Sequence, residues 1–293
     1  MQVQGSLTVV ELCQLAGVSR ASYYRRWQVR QPTQEEMAVR DRVQRLALRY
    51  RYYGYRRIAV LLQREGWIVN HKRVLRLMRE DNLLSLRRRK FVITTGSNHE
   101  WHIYPNAARR MEVTGLDQLW VADITYVRLQ REFIYLAVIL DAYSRRVVGW
   151  SISRNLDSTV AQQALANAIR KRRPQAGLVH HSDRGWQYAC HDYVALLAGH
   201  GIEVSMSRPG NPYDNAFAET FMKTLKTEEV DASQYRSFAE AQQSIGGFIE
   251  SFYNGERLHS ALGYRNPAEF ERAISTGTAN AKGEARWSAA AAE

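Results

Sequence analysis

The chain has 293 residues, 45% of them apolar, with a formal charge of +12, so it can bury a real core in one large domain or two to three smaller ones. No apolar run approaches the roughly 20 residues that span a bilayer, and the opening MQVQGSLTVVELCQLAG lacks the basic start and long apolar stretch of a signal peptide. This argues against a membrane role and for a folded, soluble protein of the cytosol. Cys13 and Cys190 lie far apart and in no CxxC pair, so neither a disulfide framework nor a zinc site is supported, and both read as buried small side chains.

The charge is uneven. Residues 1–112 carry 22 Lys and Arg against 9 Asp and Glu, whereas residues 113–293 carry 19 against 20. All the excess positive charge is therefore N-terminal, as expected of a polyanion-binding arm joined to a different working domain.

In chain order, LTVVELCQLAGVSRASYYRRW sets Val9, Leu12 and Leu15 at helical spacing and Gly17 at a turn. Ser19 is placed to cap a second helix bearing Arg20, Ser22, Tyr23, Arg25 and Arg26. This predicts a helix-turn-helix over residues 1–30. A second one is predicted over 34–84: a helix from Glu35 to Tyr50, another ending near Gly66, and a third capped by Asn70 that carries Lys72, Arg73, Arg76 and Arg79. In such units the last helix enters the major groove and basic side chains grip phosphates; an ordinary helical hairpin with solvated charges is the alternative. Residues 85–114 lose the helical stripe and hold the cluster Arg87, Arg88, Arg89 and Lys90. This stretch is expected to be a basic linker lying along DNA.

From 115 to 275 the pattern turns to strands. LWVADITYVRL alternates, with Trp120, Ala122, Ile124 and Tyr126 on one face and Val121, Asp123, Thr125 and Val127 on the other. FIYLAVILDAYS and RRVVGWSIS complete an antiparallel meander. A helix in DSTVAQQALANAIRKRR, a strand in GLVHHS, a helix around HDYVALLAGH and a strand in IEVSMS follow. The fold class is therefore α/β: a mixed five-stranded sheet with flanking helices, preceded by all-α helix-turn-helix units. The tail, 276–293, is rich in Ala and Gly and is expected to be disordered.

An ionised aspartate inside a strand that otherwise reads as buried must find a cation or hydrogen bonds. Asp123 is such a residue, and Asp183 follows a strand end in HHSDRGWQY. A bound divalent cation would satisfy both, with a third carboxylate supplied by Glu219. That residue opens a helix carrying Lys223 and Lys226 after the turn-rich SRPGNPYDN. Taken singly, each has a bland reading: a partnered structural aspartate, a turn residue and a solvated helix face. His180 and His181 read as packing residues, and Trp120 and Trp150 as core.

Between Asp183 and Glu219 lie 35 residues. This spacing, together with WVADITYV, DAYSRRVVGW, HHSDRGWQYA, SMSRPGNPYDNAFAETFMKTLKTE and YNGERLHSALGYRNPAEF, resembles the DDE transposases of the bacterial insertion sequence three family, in the product of their downstream reading frame. The resemblance implies an RNase H-like integrase core that cleaves and joins DNA at terminal inverted repeats. It implies Asp123, Asp183 and Glu219 as metal ligands for two Mg²⁺ ions, with Mn²⁺ able to substitute. Lys226 matches the family's basic residue two turns after the glutamate, and Lys223 extends the same face toward phosphate. Arg257 and His259 either reach DNA or lock the last helix to the sheet. Double-stranded DNA, a second copy of the chain on that DNA and the upstream-frame product, separate or fused by frameshift, are the implied partners, in a bacterial cytoplasm and on the nucleoid when bound. A nuclease that only hydrolyses, and a regulatory DNA-binding protein with an inactive core, remain as alternatives.

Overall fold

The computed structural model describes residues 8–27, 33–85, 102–208 and 212–277, and the chain divides into two compact units, Met1–Ser85 and Leu86–Glu293. In the first unit, α1 (Val9–Leu15) is opened by a capping box in which Glu11 N–H donates to Thr8 Oγ1 and Thr8 N–H to the Glu11 carboxylate. Gly17, at φ +63°, makes the turn into α2 (Arg20–Trp27), capped by Ser19 as predicted. The stripe read from sequence is not the buried one. Leu12 and Leu15 are exposed, Cys13 is buried and Val9, one turn before it, is half-buried.

The predicted second helical unit forms as α3 (Gln34–Arg49), α4 (Tyr55–Arg64) and α5 (His71–Glu80). Its core is Val39, Val43 and Leu46 against Ile58, Leu62, Val74, Leu77 and Met78, all buried, each worth about 1.5–3 kcal/mol of burial. Gly66 takes φ +87° at the turn, and Asn70 Oδ1 accepts from Lys72 N–H at 2.8 Å to start α5. Arg40 and Gln44 on α3 both donate to Asp81 at the end of α5, which pins the first helix of the trio to the last.

The second unit is built on a sheet of order β3-β2-β1-β4-β5. Strands β1 (Leu119–Arg128), β2 (Phe133–Asp141) and β3 (Val147–Ser153) form the predicted meander; β4 (Val179–Ser182) lies parallel to β1, and β5 (Glu203–Met206) parallel to β4. One face packs on α6 (Ser158–Arg172), α7 (Trp186–Ala189) and α8 (His191–Gly199) through Trp120, Ala122, Ile139 and Leu165. The other packs through Val121, Val127 and Val138 on α9 (Ala216–Glu228), α10 (Phe238–Gly247) and a π-helical turn, Phe248–Tyr253. The last helix, α11 (Pro267–Ser275), is tied in by charge: its buried Glu271 accepts from Ser144, Arg146 and Arg172, and Arg172 also donates to Asp117.

Part of the expected linker belongs to this unit, since Ala107, Ala108, Met111 and Val113 pack on its core. Their apolar side chains gain more by burial than the stretch gains as a solvated connector. Arg87, Arg88, Arg89 and Lys90, and the tail beyond 277, lie outside the described residues.

Helix α6 approaches β3 closely through Ala164 and Ala168, and a Cβ on Gly149 would stand 2.7 Å from Ala168 Cβ and 2.8 Å from its backbone nitrogen. Backbone cannot yield as a side chain can. Gly149→Ala is therefore expected to cost about 2–3 kcal/mol, read as a lower midpoint in thermal denaturation; an unchanged midpoint contradicts this packing.

Candidate active site

Strands β1 and β4 are parallel neighbours, with Trp120 opposite His180 and Val121 opposite His181. Carried two residues further, this register sets Asp183, just past the end of β4, beside Asp123 on β1. Both are half-buried, on the face covered by α9. Asp123 Oδ1 accepts from Ile124 N–H, and Asp183 Oδ1 from Gly185 N–H, each at 2.9 Å. A side chain at Gly185 would crowd this carboxylate, because its Cβ would lie 3.0 Å from Asp183 Oδ1.

Helix α9 buries Ala218, Phe221, Met222 and Leu225. At 100° per residue this puts Glu219 and Lys226 together on one flank of the buried stripe and Lys223 further outward. Glu219 and Lys226 are half-buried and Lys223 is exposed. The Lys226 ammonium lies 4.7 Å from the centre of the Tyr126 ring on β1. Burial pushes the Asp123 carboxyl up to about 8, helped by the charge of Asp183 and, more weakly, of Glu219, and opposed by Ile124 N–H and Lys226. Burial lowers the Lys226 ammonium, while Asp123 and Asp231 hold it up. Asp183, Glu219 and Lys226 thus all act on Asp123.

The loop into α9 is held from three sides. Asp214 accepts from Arg208 through backbone and guanidinium and from Asn106 Nδ2; the Arg208 hydrogen bond leads in holding its carboxyl well below the usual range. Asn215 Nδ2 donates to Ala122 O at 2.9 Å, fastening the start of α9 beside Asp123. The dense polar run SRPGNPYDN was the only signal for these contacts.

Other expected contacts fall out differently. Arg257 is not open to DNA: it is buried and donates twice to Glu228 on α9, at 2.9 and 2.6 Å. A guanidinium committed to that carboxylate locks α9, a structural role but not the expected tie of the last helix to the sheet. His259 packs edge-on to Tyr253 at 5.0 Å. In the first unit Arg20, Ser22 and Lys72 are exposed, and Tyr23 is half-buried against Tyr24; the side chain of Arg25 lies outside the described residues. Arg73 comes within 4.0 Å of Glu35, and Arg76 bridges Glu36 and Glu80 at 2.9 and 3.1 Å, so Arg76 is partly neutralised within the unit.

Among the described residues, no three His, Cys, Asp or Glu side chains stand close enough to cage a metal as they are. The donor set nevertheless suits a hard divalent cation. It consists of oxygen ligands alone, one of them held protonated by burial and neighbouring negative charge.

A sheet of order β3-β2-β1-β4-β5 with carboxylates in the middle of β1, just past the end of β4 and on α9 defines an RNase H-like core of the polynucleotidyl transferase class. Models of the integrase core domain match residues 114–212 and 200–267, and a model of an HTH-like domain matches 34–91. A 31 kDa protein of insertion element IS600 from Shigella sonnei is 40% identical over 88% of this chain and 97% of its own length. The transposase of IS904 from Lactococcus lactis is 37% identical over 75% of this chain and 87% of its own. The chain belongs to the insertion sequence three family of transposases. The catalytic core domain of BIV integrase is a looser neighbour, 18% identical over 56% of this chain and 99% of that one, with a TM-score of 0.40. No helix among the described residues is long and apolar enough to cross a membrane.

The histidines beside Asp183 are structural, as expected. His180 is buried against Tyr193, its Nε2 3.0 Å from the hydroxyl, and burial pushes it down to about 3. His181 sits between the hydroxyls of Ser205 and Ser207. With its pKa lower in the folded than in the unfolded chain, His180 gives full stability above about 6.5 and loses it as pH falls from there toward about 3. Wild-type protein is expected to lose several kcal/mol of denaturant stability between pH 7 and 4, and His180→Asn clearly less; equal losses contradict the assignment.

Proposed function

We propose that the chain acts as a DNA transposase that binds the terminal inverted repeats of its element and cleaves and joins DNA with Asp123, Asp183 and Glu219 as metal ligands. The observation that carries this reading is the convergence of the three carboxylates, two from adjacent parallel strands and one from α9, with Asp123 pushed up to about 8. Two Mg²⁺ ions, or Mn²⁺ in their place, would supply Lewis-acid activation of the phosphodiester and of the attacking hydroxyl. Asp123 and Asp183 hold the sheet side of the site and Glu219 the helix side. Lys226, backed by the Tyr126 ring, meets the phosphate next to the scissile bond, and Lys223 meets one further along the strand. The helical units, with Arg20, Lys72 and Arg73, grip the repeat.

Water first breaks a phosphodiester at the element end and leaves a 3′-hydroxyl. That hydroxyl then attacks a target phosphodiester, forming one P–O bond for each broken and needing no ATP. The assembly is a multimer of this chain on DNA, joined by the upstream-frame product or a fusion with it.

On DNA carrying the inverted repeats, with Mg²⁺ and the upstream-frame product present, nicked and joined products are expected on a gel. Asp123→Asn, Asp183→Asn and Glu219→Gln should each cut both by about a hundredfold or more while leaving folding and DNA binding intact. Hydrolysed fragments alone under all conditions would make the protein a nuclease. A DNA-linked protein band would overturn the metal mechanism, since it requires a nucleophilic side chain.

A further inference from the structure

Beside α9, and within the second unit, lies a cavity of about 520 Å³ that the chemistry above does not use. It opens between the segment 106–113, the start of α9, the β2–β3 turn and α11. Its polar end is Arg145. This residue takes φ +63°, a conformation that glycine adopts freely and a branched or long side chain adopts only at a cost. Its half-buried guanidinium sits 3.4 Å from the centre of the Phe217 ring. Among the described residues it makes no ion pair.

The carboxylates that come near are already spent. Asp141 is fully buried and accepts the backbone N–H groups of Asp117, Tyr143 and Ser144, and Asp214 is saturated by Arg208 and Asn106. Arg109 adds a second cation at the rim. Asn106 also lines the space, and its Oδ1 is buried without a donor. A desolvated cation on which Asp141 acts only from beyond ion-pair distance, on a backbone that would favour glycine, is expensive unless something anionic completes it. The cavity is too large for a phosphate alone, and Met111, Leu119 and Phe270 make part of its wall apolar.

We propose that this cavity takes one nucleotide of the bound DNA, its phosphate against Arg145 and Arg109 and its base against the apolar wall, with Asn106 Oδ1 accepting from the base. The proposal rests on the DNA reading above, because α9, which supplies the catalytic-site Glu219, also forms one wall of the cavity through Ala216 and Phe217.

The test uses the full chain in EDTA, so that the carboxylate site takes no part, with 5′-dAMP, deoxyadenosine and inorganic phosphate as probes in thermal denaturation. The wild-type midpoint is expected to rise with dAMP, less with phosphate and not with deoxyadenosine. Arg145→Gly should match or exceed the wild-type midpoint without ligand, since glycine relieves the backbone, and should lose the dAMP response. Its affinity for DNA should also fall less steeply with salt, the log–log slope shrinking by about 0.7–0.9 for one lost phosphate contact. Any of four results overturns the proposal: no response to dAMP in the wild type, equal responses to dAMP and phosphate, an unchanged slope in Arg145→Gly, or a changed oligomeric state in light scattering at unchanged slope, which would assign the cavity to a carboxylate of a second copy. Failure of the wild-type chain to bind DNA at all would instead sink the transposase reading, while the dAMP arm still judges the cavity.

Discussion

Asp123 is desolvated, and the negative charges of Asp183 and, more weakly, Glu219 act on it, so that its carboxyl rises to about 8. Much of the second unit is arranged to hold the three together against that cost. The two aspartates cannot separate, because β1 and β4 are hydrogen-bonded neighbours and their register sets the pair. Glu219 could move away only with α9, and α9 is fastened at both ends. Asn215 ties its start to Ala122, and Arg208 closes the preceding loop on Asp214. At the far end Glu228 is buried with Arg257, and Glu229 accepts from Tyr235 and Ser244. Beneath it, Phe221, Met222 and Leu225 are buried in the sheet-facing core.

Charge divides the chain unevenly between the two units. Residues 1–85 carry 16 Lys and Arg against 7 Asp and Glu, and residues 86–293 carry 25 against 22; the first unit spends part of its excess internally. Arg40 pins α3 to Asp81, Arg42 pairs with Glu65, and Arg76 bridges Glu36 and Glu80. Lys72 and Arg79 on α5 remain exposed without an ion pair among the described residues. In the proposed function, phosphate contact by the remaining cations would make affinity fall with salt, whereas the second unit would rely on geometry near the carboxylates, so that one unit would gather DNA and the other act on it.

Much of this was legible in the residues. Alternation placed Val121 and Asp123 on one face and Trp120 and Ala122 on the other, and the structure keeps that division. Ser19, Gly66 and Asn70 marked helix boundaries because capping and positive φ are local properties. What could not be read depends on long-range partners. Nothing local tells that Arg257 meets Glu228, that Arg172 joins Asp117 to Glu271, or that Lys226 lies over Tyr126. The stripe of Leu12 and Leu15 misled because periodicity says which residues share a face, not whether a partner covers it. The segment 107–113 looked like linker because four apolar residues without a helical repeat carry no period to detect.

The account stands on the claim that the three carboxylates form one divalent-cation site. Calorimetric titration of Mn²⁺ into the full chain tests it without DNA or partner. Uptake by the wild type, abolished in Asp123→Asn and sharply weakened in Glu219→Gln with thermal stability retained, is the expected result. Equal Mn²⁺ uptake by the wild type and a variant lacking all three carboxylates, or none by either, would contradict it.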